Sequence, residues 1–359
     1  MHQFVNCSPW DHEAAMTELR RELRGRALKG PSSLILSEFH FQKYGHEAVG
    51  TSRHVRDWPG MYRGIKQPGA RSFRGQLAIG WTWTDGSERR PIAARLYMPP
   101  EWANDAARLS KASVPRGAQK IQDRAQTAFD VLTDAARDMP FDALLLDKYY
   151  GDSLEFLTKL ERRGLPYIIR PPQSGWARFY PTCVYPLPSR TCPRRLGWWG
   201  GGSRYHDWRE SLNQTPRRSW FPLGQVDSVG DPMFLLARRL ETIPLVKNCR
   251  TYRRHRWLIF VKNSWWSPYW ERYISNLPEE TPIARFADLL SHFPPRGLVN
   301  HNSFLPPGAE SFEGRSWRGF HHHLTLCMLA GQLLAVARRI DACSTIANKR
   351  SDPVLSLIR

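Results

Sequence analysis

Acidic residues are the scarce class in this chain. Its 33 Asp and Glu stand against 52 Lys and Arg, leaving a formal net charge of +19 at neutral pH. A surface so short of carboxylate suits polyanionic partners and disfavours cationic ones. Long apolar runs are missing too. None reaches the ~18 residues that a membrane-spanning helix needs, so no membrane partner is expected. The opening Met1-His-Gln-Phe-Val-Asn-Cys7 has no basic segment followed by an apolar stretch and does not read as a secretion leader. The six cysteines (Cys7, Cys183, Cys192, Cys249, Cys327, Cys343) are scattered, with no C-x-x-C pair. That spacing excludes a zinc ribbon and leaves reduced thiols in a cytoplasm as the expectation. No G-x-x-x-x-G-K-[ST], G-x-S-x-G or H-E-x-x-H run occurs, which removes the P-loop, the hydrolase elbow and the zincin helix.

What is present suffices for a folded core. With 41% hydrophobic and 24% charged residues over 359 positions, wholesale disorder is excluded and two or three domains are expected. The basic excess is concentrated. Between Glu161 and Phe260 there are 18 Lys or Arg against 6 Asp or Glu, an excess of 12. Arg194, Arg195, Arg253 and Arg254 lie there, among Trp176, Trp198, Trp199, Trp208, Trp220 and Trp257. Guanidinium groups fork onto phosphates and aromatic faces stack on unpaired bases, so this stretch predicts a nucleic-acid partner.

Periodicity predicts a mixed α/β order. Glu13–Arg26 repeats Ala14, Ala15, Leu19 and Leu23 on one helical face, and Gly30-Pro31 ends it. Leu34–Leu36 reads as a short buried strand. Gln76–Thr84 and Ile92–Tyr97 alternate about an Asp85-Gly86 turn and read as a hairpin. A helix over Ala118–Asp138, a strand over Phe141–Leu146, a helix over Leu154–Arg163 and a strand over Leu165–Ile169 follow. From Pro171 to Trp220 the pattern dissolves into Pro, Gly, Arg and Trp; a β-rich insertion and a basic loop both fit. Strands return at Trp257–Val261 and Trp270–Ser275, and Phe320–Arg339 reads as the longest helix.

The run Ser311-Phe-Glu-Gly-Arg-Ser-Trp-Arg-Gly-Phe-His-His-His-Leu-Thr-Leu-Cys-Met-Leu-Ala330 closely resembles the segment after the catalytic glutamate in DDE-type transposases of bacterial insertion sequences, the IS-seven-oh-one-like group. Further pieces resemble the same group in the same order: Asn6-Cys-Ser-Pro-Trp-Asp11, Phe41-Gln-Lys-Tyr-Gly-His46 with Val49-Gly50, and Arg95-Leu-Tyr-Met-Pro-Pro-Glu-Trp102. Leu146-Asp147 with Tyr150-Gly-Asp-Ser153 and Arg163-Gly-Leu165, and Tyr273-Ile-Ser-Asn-Leu-Pro-Glu-Glu-Thr-Pro-Ile-Ala-Arg285, complete the series. The resemblance implies an RNase H-like mixed sheet flanked by helices. It also implies Mg²⁺-dependent nicking of transposon ends in double-stranded DNA, transfer of a 3′-hydroxyl, and a homodimer on paired ends. Such chemistry needs three carboxylates converging on two metal ions, which activate the attacking oxygen and stabilise the leaving one.

Set against that pattern, Asp147 matches the second aspartate and is the expected catalytic and metal-binding residue. Ser37 falls where the first aspartate belongs. Its neighbour Glu38 should face the other way along a strand, and can substitute only where the strand ends or bulges. Gly297 falls at the glutamate position, in a segment whose Pro294-Pro295 and Pro306-Pro307 forbid one continuous helix. Glu310 is the nearest spare carboxylate, one residue ahead of the matched tail. Arg315 and Arg318 are the phosphate-contact candidates beside the four arginines above. His321-His-His323 cannot converge on one ion, since successive helical residues point about 100° apart.

The expected organisation is a remnant N-terminal helical segment over 1–30 and a first part of the catalytic domain over 31–170. A basic insertion over 171–256, the C-terminal part of the catalytic domain over 257–340 and a tail over 341–359 follow. The functional expectation is a truncated or degenerate transposase copy, cytoplasmic and nucleoid-associated, with impaired catalysis. The alternative is a non-catalytic binder of duplex DNA or of single strands.

Overall fold

A computed structural model describes residues 2–25, 30–55, 72–137, 139–151, 153–170, 179–182, 221–226, 232–244, 254–262, 270–293 and 305–350. Arg194, Arg195, Arg253, Gly297 and the Trp198-Trp199 pair lie outside them. Arg254 opens a strand, and its side chain is likewise outside what is described.

The chain begins with two helices, α1 (His2–Asn6) and α2 (His12–Arg24). Asp11 starts α2 by accepting from the amides of Glu13 and Ala14, and Met16, Leu19 and Leu23 form its buried face. Strand β1 (Ser33–Gln42) is far longer than its apolar start suggests, because Ser37, Glu38 and His40 are carried inside it. It pairs antiparallel with β3 (Ser72–Thr84) from Ser33↔Thr84 to Gln42↔Gly75 with no break in register. The far edge of β3 pairs with β2 (Ser52–Val55) and with β4 (Arg89–Leu96), the latter closing the hairpin expected about Gly86.

Two short helices, α3 (Pro100–Ala103) and α4 (Ala106–Lys111), lead to α5 (Arg124–Ala136). Helix α5 starts six residues later than the periodicity indicates, because the Asp123 carboxylate accepts from Gln126 N at 2.6 Å and fixes the N-cap there. Strand β5 (Ala143–Leu146) then runs parallel beside β1, followed by α6 (Lys148–Gly151), α7 (Leu154–Arg162) and β6 (Tyr167–Ile169), parallel to β5.

Beyond β6 the same sheet continues through five strands: β7 (Phe179–Thr182), β8 (Phe221–Val226), β9 (Pro232–Pro244), β10 (Arg254–Lys262) and β11 (Trp270–Ser275). Strand β11 pairs antiparallel with β6, β10 with β11, and β9 with β10. Helices α8 (Ile283–Ser291) and α9 (Trp317–Arg350) end the described chain. The result is a mixed sheet flanked by helices. Its central order β3-β1-β5-β6, with an antiparallel hairpin on one side of β1 and parallel strands on the other, is consistent with an RNase H-like nuclease.

Two apolar layers sandwich the sheet. On one face α5 lies over Trp81 and Leu36, with Trp81 Nε1 donating to Ala128 O at 3.0 Å. On the other, α8 inserts Phe286, Leu289 and Leu290 against Ile35, Leu145, Ile168 and Ile259. The Trp317–Ala337 part of α9 is long and apolar enough to cross a membrane. Here it packs on β4, α1 and α2, burying Phe320, Leu324 and Met328 as a core helix does.

Candidate active site

Parallel strands in register present paired residues to the same face. The β1–β5 pairing runs Ser33↔Ala143, Leu34↔Leu144, Ile35↔Leu145. Two residues further along, Ser37 comes level with Asp147, on the face that α8 covers. The Ser37 side chain is buried, and its hydroxyl has no hydrogen-bonding partner among the described residues. A buried hydroxyl left so is costly.

The row continues across β6 and β11. Continuing Leu146↔Ile169 and Ile169↔Ile274 by one residue brings Asp147, Arg170 and Tyr273 level. The Arg170 guanidinium lies 3.9 Å from Asp147 Oδ1 and 3.5 Å from Glu271 Oε2, and donates to Tyr273 Oη at 3.2 Å. Tyr273 in turn donates to Glu271. Burial works against the Arg170 charge, but Tyr273, Glu271 and Asp147 outweigh it and hold the group protonated. Phe293, two residues past α8, stacks 5.1 Å from the same guanidinium. The chain therefore leaves α8 beside this row, heading into the segment where the resemblance seeks a glutamate.

Glu38 stands on the opposite face. Because β1 neither ends nor bulges there, alternation sends the carboxylate under the N-terminus of α5. Tyr150 Oη donates to Glu38 Oε1 at 2.9 Å, Arg124 Nη1 to Oε2 at 3.3 Å, and His40 Nε2 is 3.5 Å from Oε2. Burial alone would raise this carboxyl, yet His40, Arg124 and Tyr150 keep it below the usual range. Glu38 does not join the Asp147 row; it holds the turn that carries Asp147, since Tyr150 lies in α6 immediately after it. Burial, reinforced by Arg124, pushes nearby His54 down to about 4.

The other expectations are separated in space. Glu310 is exposed on a 3-10 turn over Ala309–Ser311, which is docked on α9 by the 3.0 Å contact of His323 Nε2 with Gly308 O. Arg315 and Arg318 are exposed around the start of α9. The three histidines each hold a different segment. His321 Nδ1 contacts Trp317 O while its Nε2 accepts from Leu96 N at 3.2 Å; His322 Nδ1 contacts Val5 O at 2.9 Å; His323 reaches Gly308.

A two-metal centre wants three converging carboxylates. Among the described residues no group of three His, Cys, Asp or Glu could hold a metal. Asp147 is flanked by a neutral serine and by an arginine that competes for its charge, so the donor set does not fit a Mg²⁺ pair. Sequence reasoning missed Arg170, Glu271, Tyr273, Arg124 and Tyr150. The available signals were a charged residue ending the buried Tyr167–Ile169 strand, and Glu271 and Tyr273 sharing one face of β11.

No curated protein matches this chain. A family model described as DDE superfamily endonuclease matches residues 1–221, more than half of the chain. With Asp147 at the end of a central parallel strand of a mixed sheet, and with that match, the protein belongs to the DDE superfamily endonucleases.

Proposed function

We propose that this protein is a degenerate DDE transposase of the insertion-sequence type that binds duplex DNA and has lost most or all of its strand-cleaving chemistry. Family membership makes the function transposase-like and DNA the substrate class. The observation carrying the finer reading is the row Ser37–Asp147–Arg170. One carboxylate has a neutral hydroxyl on one side and a bound guanidinium on the other, while the adjacent acid, Glu38, is committed to Arg124, His40 and Tyr150 across the sheet. Asp147 is the surviving member of the triad, and transposon ends bound by a homodimer in a bacterial cytoplasm, nucleoid-associated, are the natural setting. Any residual activity would draw on Mg²⁺.

The test is nicking of supercoiled plasmid by purified protein with Mg²⁺, Mn²⁺ or chelator, alongside duplex binding. Binding without metal-dependent nicking is expected. Nicking that Asp147→Ala abolishes would overturn the impaired reading, and absence of duplex binding would overturn the DNA-binding one.

A further inference from the structure

Strand β2 crosses β3 with Arg53 directly opposite Arg74, and both side chains are exposed. The pairing concentrates positive charge at this edge of the sheet. The surroundings add more of the same sign. Arg74 Nη1 contacts the His46 ring, Arg108 Nη2 donates to His46 O at 2.8 Å, and Lys111 is exposed one turn further on. Val49 N donates to Arg315 O at 3.1 Å, which brings the exposed Arg315 to the same place, with Arg318 following. The acids here are outnumbered. Glu47 is exposed and pairs with Lys111 at 3.0 Å; Lys111 first, then Arg315 and Arg108, keep its carboxyl below the usual range.

This basic surface bears a definite relation to the Asp147 row. Ser37 is level with Gly80, and Arg74 lies six residues along β3 from Gly80, so Arg74 and Arg53 share the face of Ser37. Lys43 N donates to Arg74 O, placing the arginine pair just past the end of β1. Six residues of strand span about 20 Å, which is about six base pairs of duplex.

We propose that Arg53, Arg74, Lys111, Arg315 and Arg318 form a phosphate-binding track for duplex DNA, gripping the backbone about half a helical turn from Asp147. The proposal rests on the DNA-binding reading above. Two exposed arginines opposite each other on adjacent strands can present their guanidinium forks to one phosphate backbone.

The experiment measures binding of the full chain to an arbitrary 30-base-pair duplex against salt concentration. Each phosphate contact contributes about 0.9 to the slope of log K on log salt. The triple variant Arg53→Ala, Arg74→Ala, Arg315→Ala should lower the slope by about two to three. Removing equal charge elsewhere, by Arg21→Ala, Arg24→Ala and Arg137→Ala, should leave the slope unchanged. Arg315→Gln alone should lower it by about one, which keeps the test decisive if the triple variant melts early. A slope in the track variants equal to that of the control variant overturns the track while leaving DNA binding intact. A wild-type chain that shows no salt-dependent binding overturns both.

Discussion

Ser37 and Glu38 are adjacent in sequence and opposite in role, and the difference is a single rotation along a strand. Ser37 Oγ has no partner among the described residues, so Ser37→Ala removes a buried polar atom and no contact. Its effect on a urea unfolding midpoint should fall within about 0.5 kcal/mol of wild type or be stabilising. Glu38→Ala leaves Arg124, His40 and Tyr150 around a lost charge and should cost about 3 kcal/mol in the same assay. Ser37→Asp tests the lineage itself. Neighbouring strands lie about 4.8 Å apart, so the new carboxylate would stand beside Asp147 within reach of one shared cation. Titration calorimetry should show Mn²⁺ binding to this variant that wild type lacks; equal, negligible heats for both would remove Ser37 from the ancestral metal site.

At the scale of elements, the parts that read clearly from sequence are those with one dry face. The hairpin over β3 and β4, and strands β5 and β11, declare themselves by alternation or by an apolar run. Strand β1 was legible only at its start, since its second half buries Ser37 and His40 and half-buries Glu38, which a hydrophobicity pattern reads as surface. Strand β6 is three residues long and needs more than its ladder. It is clamped on each face by an Arg–Glu–Tyr set: Arg170 with Glu271 and Tyr273, and Arg256 with Glu161 at 2.7 Å and Tyr167 at 3.1 Å. No residue-by-residue propensity announces such sets, because their members are contributed by separate elements. Arg256→Met should cost about 3 kcal/mol, since Glu161 and Tyr167 would lose a buried cation. On α9, His321→Phe orphans the buried Leu96 amide and should cost about 2 kcal/mol. His321→Ala melting at the wild-type temperature would show that the hook on β4 carries no weight.

Over the whole molecule, the family and a mixed sheet flanked by helices could be anticipated from a few ordered motifs, whereas the row about Arg170 could not, because it assembles residues from β1, from β11 and from just past the ends of β5 and β6. The same long-range packing gives the protein an acid limit that composition does not reveal. Burial first, against weaker opposing contacts, lowers His54 and His292 to about 4 and His321 to about 3. Each of the three rings is at most 3% exposed, so solvent screening does not soften the effect. All three bind a proton more weakly in the folded chain than in the unfolded one, where the ordinary value is near 6.5. Their contribution to stability is therefore complete above pH 6.5 and is lost as pH falls from there toward 4 and 3. Each tenfold weakening of proton binding is worth about 1.4 kcal/mol per ring, so stability should drop by about 3 kcal/mol between pH 6.5 and 5.5. That window lies above the range in which buried carboxylates such as Glu38 take up protons, so the histidine contribution can be read separately. Urea midpoints at pH 7.5, 6.5 and 5.5 measure it, and the loss should shrink by about a third in His321→Phe relative to its own value at pH 7.5. A flat profile from 7.5 to 5.5 would mean that these rings stay as easily protonated in the fold as out of it, and that the contacts of His321 with Leu96 and of His292 with Ser33 do not require a neutral imidazole.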